Sequence, residues 1–134
     1  MTPADIRLVM LVDDSPTDRF IHKKLLEIYK IGEGVVEVNS AREGLNYLNK
    51  YKDDAVKLPD VILLDVLMPE MNGFDFLTSL RNLHGKLVKK PVIYMLSSTD
   101  DETDLRRARR IKLVEKLLRK PFSPETLVKA LSEL

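Results

Sequence analysis

The chain has 134 residues, 44% of them hydrophobic, which is enough for one domain with a buried core. Its 22 basic and 21 acidic residues give a formal net charge of +1, so the overall charge provides no reason to expect nucleic acid or an anionic membrane as a partner. The absence of cysteine excludes disulfides, zinc–thiolate sites and cysteine catalysis. The sequence has neither a membrane-spanning run nor a signal peptide, so we expect a single cytoplasmic domain over residues 1–134.

The first part of the chain predicts a strand followed by a helix. Strand β1 is expected over residues 7–12 and leads into the acidic pair Asp13 and Asp14. Ser15 and Pro16 suit a helix cap and a first helical position, so α1 is expected to continue from there to about residue 30. Its apolar stripe comprises Ile21, Leu25 and Ile28, and its end is expected at Gly32 and Gly34.

The next segment predicts a second strand and helix. β2 is expected over residues 35–38, and Ser40 with Glu43 forms a capping-box pattern at the start of α2, residues 41–48. A polar connection over residues 51–59 follows.

The run Val61–Asp65 predicts β3, which is apolar, too short for a helix of ordinary length, and typical of a strand buried on both faces. It ends in the carboxylate of Asp65, and parallel α/β proteins place their sites at the carboxyl ends of strands. A helix, α3, is expected after Gly73, with Phe74, Leu77 and Leu80 as its apolar stripe.

Two further strands and helices complete the chain. β4 is expected over residues 92–96 and leads into three hydroxyl residues, Ser97, Ser98 and Thr99. α4, residues 100–112, begins with acidic residues and ends with basic ones, the arrangement that its dipole favours. β5 is expected over residues 114–118 and α5 over residues 123–134, where the stripe comprises Leu127, Leu131 and Leu134.

Five strands that alternate with five helices predict an α/β fold, a single doubly wound (βα)5 domain. We expect a flavodoxin-like parallel sheet of five strands in the order 2-1-3-4-5. In this order β1 and β3 are neighbours at the topological switch point, where such sheets bind ligands.

Three carboxylates should therefore converge, because Asp13 and Asp14 follow β1 and Asp65 ends β3. Like charges at this separation repel, and the pKa of one of them should rise unless a cation is present. Mg²⁺ fits such a site, since it prefers oxygen ligands and binds through one or two carboxylates with water and phosphate.

The neighbouring strand ends add a hydroxyl and a cation, Ser97 after β4 and Lys120 after β5. Carboxylates act as nucleophiles toward phosphoryl groups and form aspartyl-phosphate. A metal ion and a lysine would offset the charge of the group being transferred.

These motifs resemble the receiver domain of two-component response regulators. The residues that carry the resemblance are Asp13-Asp14, Asp65 with Met68-Pro69-Glu70-Met71-Asn72-Gly73, Ser97, and Lys120-Pro121-Phe122. They occur in the family's order over nearly the whole chain, and together they are far more specific than any one of them.

The resemblance implies a role for each matching position. Asp65 is the phosphoacceptor, Asp14 ligates Mg²⁺ directly, Asp13 does so mainly through water, and the backbone carbonyl of Leu67 is a further ligand. Ser97 matches the switch hydroxyl. Lys120 matches the lysine that contacts the phosphoryl group, and its bond to Pro121 is expected to be cis.

Three positions depart from the family pattern. The aromatic switch position is Leu117, which calls coupling through a rotating aromatic ring into question. The glycine before β5 is replaced by Leu113, which predicts a longer α4 or a differently packed α4–β5 loop. Leu67 and Thr99 lie where the family tunes hydrolysis of the phosphoryl group, and an apolar Leu67 is expected to shield it from water.

The implied function is a signalling switch that is not an enzyme acting on other substrates. A histidine kinase or histidine phosphotransfer protein would donate the phosphoryl group, and a downstream protein would bind the α4–β5–α5 face, with neither direct nucleic-acid binding nor membrane insertion. The chain is either a stand-alone receiver or part of a longer protein.

Three alternatives stay open at this point. A degenerate receiver would bind partners without phosphorylation. An aspartyl-phosphate hydrolase of the haloacid dehalogenase type needs a second Asp where this chain has Leu67. A flavodoxin-type cofactor binder needs a phosphate-binding loop where this chain has Asp13 and Asp14.

Other conspicuous residues are interpreted structurally. The arginine-rich stretch 106–110 is expected to be a solvated helix face. His22 and His84 are expected to be surface or boundary residues, Phe74 and Phe122 to anchor the core, and Met68 and Met71 to shape the loop after Asp65.

Overall fold

The computed structural model describes residues 1–98 and 102–134, and their strands form one parallel sheet in the order 2-1-3-4-5. The strands are β1 (Leu8–Val12), β2 (Gly34–Val38), β3 (Val61–Asp65), β4 (Val92–Ser97) and β5 (Val114–Arg119). The helices are α1 (Pro16–Ile28), α2 (Ala41–Lys50), α3 (Gly73–His84), α4 (Glu102–Arg109) and α5 (Pro124–Ser132). The predicted flavodoxin-like fold is therefore confirmed.

The central strands separate two apolar clusters, because successive side chains of a strand point to opposite faces of the sheet. On β3, Ile62 and Leu64 belong to the cluster that α2 and α3 cover, together with Phe76 and Leu80. Val61 and Leu63 belong to the other cluster, which α1 and α5 cover. All five residues of β3 are buried, as predicted for a strand covered on both faces.

The buried face of α1 differs from the predicted stripe. His22 and Leu26 are its buried residues, whereas Ile21 is exposed and Ile28 is 69% exposed. Apolar residues lie on several sides of this helix, so their spacing does not decide which side faces the core. The observed buried face is rotated from the predicted one by about 100°, the angle between successive residues. Packing of His22 on Phe122 of the neighbouring loop marks the orientation that the structure adopts.

The end of α1 also differs from the prediction. Lys30, with φ of 54°, occupies the left-handed position after the helix, and the Ile31 N–H donates to the Leu26 carbonyl at 2.9 Å. This is the Schellman arrangement, and the buried side chains of Ile31 and Leu26 accompany it. Gly32 lies in the turn beyond, with φ of 82°, and Gly34 is already the first residue of β2.

Only half of the predicted capping box forms at α2. The Ser40 hydroxyl accepts from the Glu43 N–H at 3.1 Å, as expected for an N-cap. The Glu43 carboxylate accepts instead from the Asn39 N–H at 3.4 Å. The start of α2 is thus fixed by the serine.

α4 is shorter than predicted, because it ends at Arg109 and leaves Arg110 and Lys112 in the following turn. The longer helix suggested by Leu113 is therefore wrong, and the half-buried side chains of Ile111 and Leu113 pack against the core. Asp100, Asp101 and Thr99 lie outside the described residues. The arginines of α4 are exposed as predicted, and Arg107 lies over the Phe74 ring at 4.1 Å.

α5 begins as predicted, with the Ser123 hydroxyl accepting from the Thr126 N–H at 3.3 Å. Leu127 and Leu131 are buried, but Leu134 follows the end of the helix and is exposed. Among the described residues, no helix has both the length and the apolar character needed to cross a membrane.

Candidate functional site

Three carboxylates lie together at the carboxyl ends of β1 and β3. Each of Asp13, Asp14 and Asp65 offers one carboxylate oxygen, and these oxygens lie within 4.8 Å of one another. Asp13 and Asp65 are buried, whereas Asp14 is exposed. The predicted convergence of these side chains is confirmed.

The backbone around Asp13 orients its carboxylate. The Asp13 N–H donates to the Val38 carbonyl of β2 at 3.2 Å, and the Arg19 guanidinium donates to the Asp13 carbonyl. The Asp13 carboxylate accepts from the Ser15 N–H at 2.9 Å. The turn into α1 therefore holds this acid against the sheet edge.

The loop after Asp65 is fixed at both of its ends. The Val66 N–H donates to the Leu96 carbonyl of β4 at 3.0 Å, and the Gly73 N–H donates to the Val66 carbonyl at 2.9 Å. Met68 is buried in the core, which agrees with its predicted structural role, whereas Leu67 is 64% exposed. The loop thus presents Leu67 outward beside Asp65.

Lys120 reaches the carboxylates from the end of β5. Its Nζ lies 2.8 Å from Asp13 Oδ2 and 3.3 Å from Asp65 Oδ2. Its backbone N–H donates to the carbonyl of Ser97 at 2.7 Å, which ties the loop to the end of β4. Ser97 is buried there, the following Ser98 is exposed, and the Lys120–Pro121 bond is cis as expected.

Asp18 is a site residue that the sequence did not indicate. Its Oδ2 lies 2.8 Å from Lys120 Nζ, as close as that of Asp13. In the sequence, Asp18 is only an acidic residue in the first turn of α1. Such residues are common because they interact favourably with the helix dipole, so the position did not indicate a role in the site. The contact depends on where the β5–α5 loop lies in space.

The charges of the site shift its ionisation. Burial raises the pKa of Asp65 to about 6, the Asp13 charge adds to the increase, and Lys120 opposes it. Burial acts to lower the pKa of Lys120, but hydrogen bonds to Asp13 and Asp18 outweigh it and hold this pKa above its usual range. The pKa of one carboxylate is raised as predicted, but burial is the main cause and repulsion by a like charge only the second.

His22 lies behind the site, and the prediction of a surface position for it is wrong. Its ring is buried, and its centroid lies 5.2 Å from that of Phe122. Burial lowers the pKa of His22, and the Lys120 charge lowers it further. A neutral imidazole therefore packs as part of the core. His84 is half-buried, and Phe74 and Phe122 anchor the core as predicted.

The donor set fits a hard divalent cation. Its side-chain oxygens are all carboxylate, and Mg²⁺ prefers such ligands. Burial and the Asp13 charge raise the pKa of Asp65 despite Lys120, and a cation bound beside this carboxylate would favour its ionised form. Within the described part of the chain, this is the one group of three or more metal-binding side chains.

A doubly wound parallel sheet with an acidic cluster and a lysine at its carboxyl edge defines a class of small signalling domain. The family model of the response regulator receiver domain matches residues 9–132. The chain belongs to this family and is a receiver domain of two-component systems.

Individual relatives agree with this assignment. The protein PilH of Pseudomonas aeruginosa is 32% identical over 124 residues, which cover 92% of this chain and 93% of that protein. The sensor histidine kinase CheAY of Helicobacter pylori is 34% identical over 94% of this chain, which spans only 14% of the kinase. The crystal structure of a response regulator receiver protein from Dyadobacter fermentans is 31% identical, with a TM-score of 0.82 over 95% of this chain and 96% of that one.

Proposed function

We propose that Asp65 accepts a phosphoryl group from a phosphohistidine of a histidine kinase or histidine phosphotransfer protein. An Asp65 carboxylate oxygen attacks the phosphorus, an O–P bond forms and the N–P bond breaks. The electron pair of that bond returns to the imidazole nitrogen of the donor. The observation that supports this best is the burial of Asp65 beside Asp13 and Lys120.

The carboxylates of Asp13, Asp14 and Asp65 and the backbone carbonyl of Leu67 would hold Mg²⁺. When bound, the ion supplies charge neutralisation for the transferring group. Lys120 provides a second positive charge next to Asp13 and Asp65, and its side chain is largely buried there.

Phosphorylation would act on partners through the α4–β5–α5 face. Ser97 ends β4 at the site, and its hydroxyl would bind the phosphoryl oxygens and bias a pre-existing equilibrium. Leu117 of β5 lines a groove of about 530 Å³ together with Leu105 and Ala108 of α4. A downstream protein bound there would sense the change without an aromatic switch residue.

The alternative functions fit less well. Leu67 offers no general acid for an aspartyl-phosphate hydrolase, and the carboxylates of Asp13 and Asp14 would repel a cofactor phosphate. A degenerate receiver would not need the Lys120 contacts with Asp13 and Asp65. We infer a cytoplasmic switch that modifies only itself and binds neither nucleic acid nor a membrane.

Intact mass spectrometry after incubation with acetyl phosphate tests the proposal. We expect the wild type to gain one phosphoryl group with Mg²⁺ and none without it, and Asp65→Asn to gain none. Asp53→Asn is a matched control, since Asp53 is an exposed acid in the connection that leads to the opposite end of β3, and it should react like the wild type.

A wild type that stays unmodified, both with acetyl phosphate and with histidine phosphotransfer proteins as donors, would contradict phosphorylation. That result would favour the degenerate receiver. Modification of Asp65→Asn would mean that a different residue is the acceptor.

A further inference from the structure

The ammonium group of Lys120 lies among three carboxylates. A lysine ammonium has three N–H donors. Lys120 Nζ lies 2.8 Å from Asp13 Oδ2, 2.8 Å from Asp18 Oδ2 and 3.3 Å from Asp65 Oδ2. Three carboxylate oxygens therefore surround one ammonium group, that of Asp13 as an ion pair without hydrogen-bond geometry, and a further anionic acceptor at this site must compete with them.

The position of Asp18 leaves its carboxylate available for this contact. Asp18 is the third residue of α1, and its N–H donates to the Ser15 hydroxyl at 3.2 Å. In a capping box the carboxylate would accept the Ser15 N–H in return. Here that N–H donates to Asp13 Oδ1 at 2.9 Å, so the Asp18 carboxylate binds Lys120 instead.

The three carboxylates differ in how easily they can release the lysine. The side chains of Asp13 and Asp65 are 4% and 7% exposed, whereas that of Asp18 is 37% exposed. A buried carboxylate that loses its partner is left without compensation, but a partly exposed one is rehydrated. Asp18 is therefore the partner that yields at the lowest free-energy cost.

We propose that Asp18 is a positioning residue that holds Lys120 toward α1 in the unphosphorylated site and competes with the phosphoryl group for it. The proposal rests on Asp65 being the phosphoacceptor. The bond of Lys120 to Asp18 then opposes movement of the ammonium group toward a phosphoryl oxygen. The strength of this bond sets how tightly the site holds a phosphoryl group.

The affinity for beryllofluoride, a phosphoryl mimic that binds a carboxylate in the presence of Mg²⁺, tests the competition. We would titrate it by ¹⁹F NMR in wild type, Asp18→Asn and Asp18→Glu. Asp18→Asn should bind it roughly 3- to 10-fold more tightly, the range expected when one partly exposed charged hydrogen bond no longer competes. Asp18→Glu keeps the carboxylate and should restore an affinity near that of the wild type.

The control is Glu70→Gln, which removes one negative charge from the loop after Asp65. Glu70 is exposed and lies in a surface depression beside Ser40 and Arg42. It should bind beryllofluoride like the wild type. Circular dichroism and thermal melting would establish that each variant is folded.

The outcomes separate this inference from the proposed function. An unchanged or weaker affinity in Asp18→Asn, or an equal gain in Glu70→Gln, would overturn the role of Asp18 while phosphorylation of Asp65 stands. A wild type that binds no beryllofluoride and gains no phosphoryl group would overturn both.

Discussion

Asp65 has a pKa of about 6, above its ordinary value of 3.8, chiefly because it is buried and secondly because Asp13 is close. Between these two values the folded protein binds more protons than the unfolded chain. The contribution of Asp65 to stability therefore decreases as the pH rises from about 4 to about 6. Without a metal ion, ionised Asp65 is a destabilising group at neutral pH.

Asp65→Asn should therefore stabilise the metal-free protein above pH 6. We expect an increase of about 3 kcal/mol in the free energy of unfolding, since the pKa of Asp65 is raised from 3.8 to about 6 and each pKa unit corresponds to about 1.4 kcal/mol. The gain should shrink as the pH falls toward 4, where the wild-type carboxyl is protonated. Urea denaturation at pH 4.5 and pH 7.5 with EDTA measures it, and an equal gain at both pH values would contradict the assignment.

The position of Leu67 leads to a prediction about the rate at which the phosphoryl group is hydrolysed. Leu67 is exposed beside Asp65, so an apolar side chain there limits the ordering of water near a phosphoryl group. Leu67→Asn should accelerate loss of the phosphoryl group roughly 3- to 10-fold, because the amide can bind water near the phosphorus. The factor is smaller than that of a positioned general base, since an amide does not accept the proton. Dephosphorylation rates measure this, and an equal or slower rate in the variant would refute the shielding hypothesis.

At the scale of the helices and strands, the end of α1 has an unfavourable residue. Lys30 adopts φ of 54°, which glycine tolerates without steric cost. Lys30→Gly should stabilise the fold by about 0.5–1 kcal/mol, as measured by urea denaturation. Lys24→Gly in the exposed middle of α1 is the matched control, and it should destabilise by about 1 kcal/mol. Equal effects of the two changes would mean that conformation at residue 30 is unimportant.

At the start of α3, a glycine is required and its replacement should destabilise the fold. A Cβ at Gly73 would lie 2.5 Å from the Asp65 carbonyl oxygen and 3.2 Å from Val66 Cα, and both are backbone atoms that cannot move away by a change of rotamer. Gly73→Ala should destabilise the protein by about 2–4 kcal/mol and displace Asp65. Gly85→Ala, where a Cβ meets nothing within 4 Å, is the control. A thermal melt of Gly73→Ala that matches the wild type would contradict the close approach.

These two positions also show what sequence can predict about elements. The strands were predicted within one residue at each end, because β1, β3 and β4 are short apolar runs bounded by turn residues or charged residues. Charged residues interrupt β2 and β5, and their alternation with helices supported those two predictions. Glycine positions alone did not locate the end of α1, since Lys30 takes the left-handed position and burial of Ile31 compensates. The rotation of α1 depended on the packing of His22, which no spacing rule indicates.

For the whole molecule, topology made the site predictable. Once β1 and β3 are neighbours, their carboxyl ends bring Asp13 and Asp65 together whatever the intervening sequence. Asp18 escaped prediction because its contact with Lys120 joins the first turn of α1 to a loop about a hundred residues later. Long-range topology was thus easier to infer than side-chain contacts at the same site.

Because the acids that would hold Mg²⁺ come from separate strands, the ion should stabilise the whole fold. A ligand that binds only the folded state at ten times its Kd adds about 1.4 kcal/mol to the free energy of unfolding. For a domain of this size the Tm should rise by about 3–8 °C. Differential scanning calorimetry with increasing MgCl₂ measures the shift against NaCl of equal ionic strength.

Asp14→Asn separates site binding from a general salt effect. Asp14 is exposed, so its replacement should leave the metal-free Tm nearly unchanged while it removes most of the Mg²⁺-dependent shift. Asp53→Asn, an exposed acid away from the cluster, should retain the full shift. If Asp14→Asn kept the same Mg²⁺ dependence as Asp53→Asn, the ion would be acting elsewhere. The charges of Asp13 and Asp65 would then be balanced by Lys120 without a metal ion, and phosphorylation would have to proceed without one at this edge of the sheet.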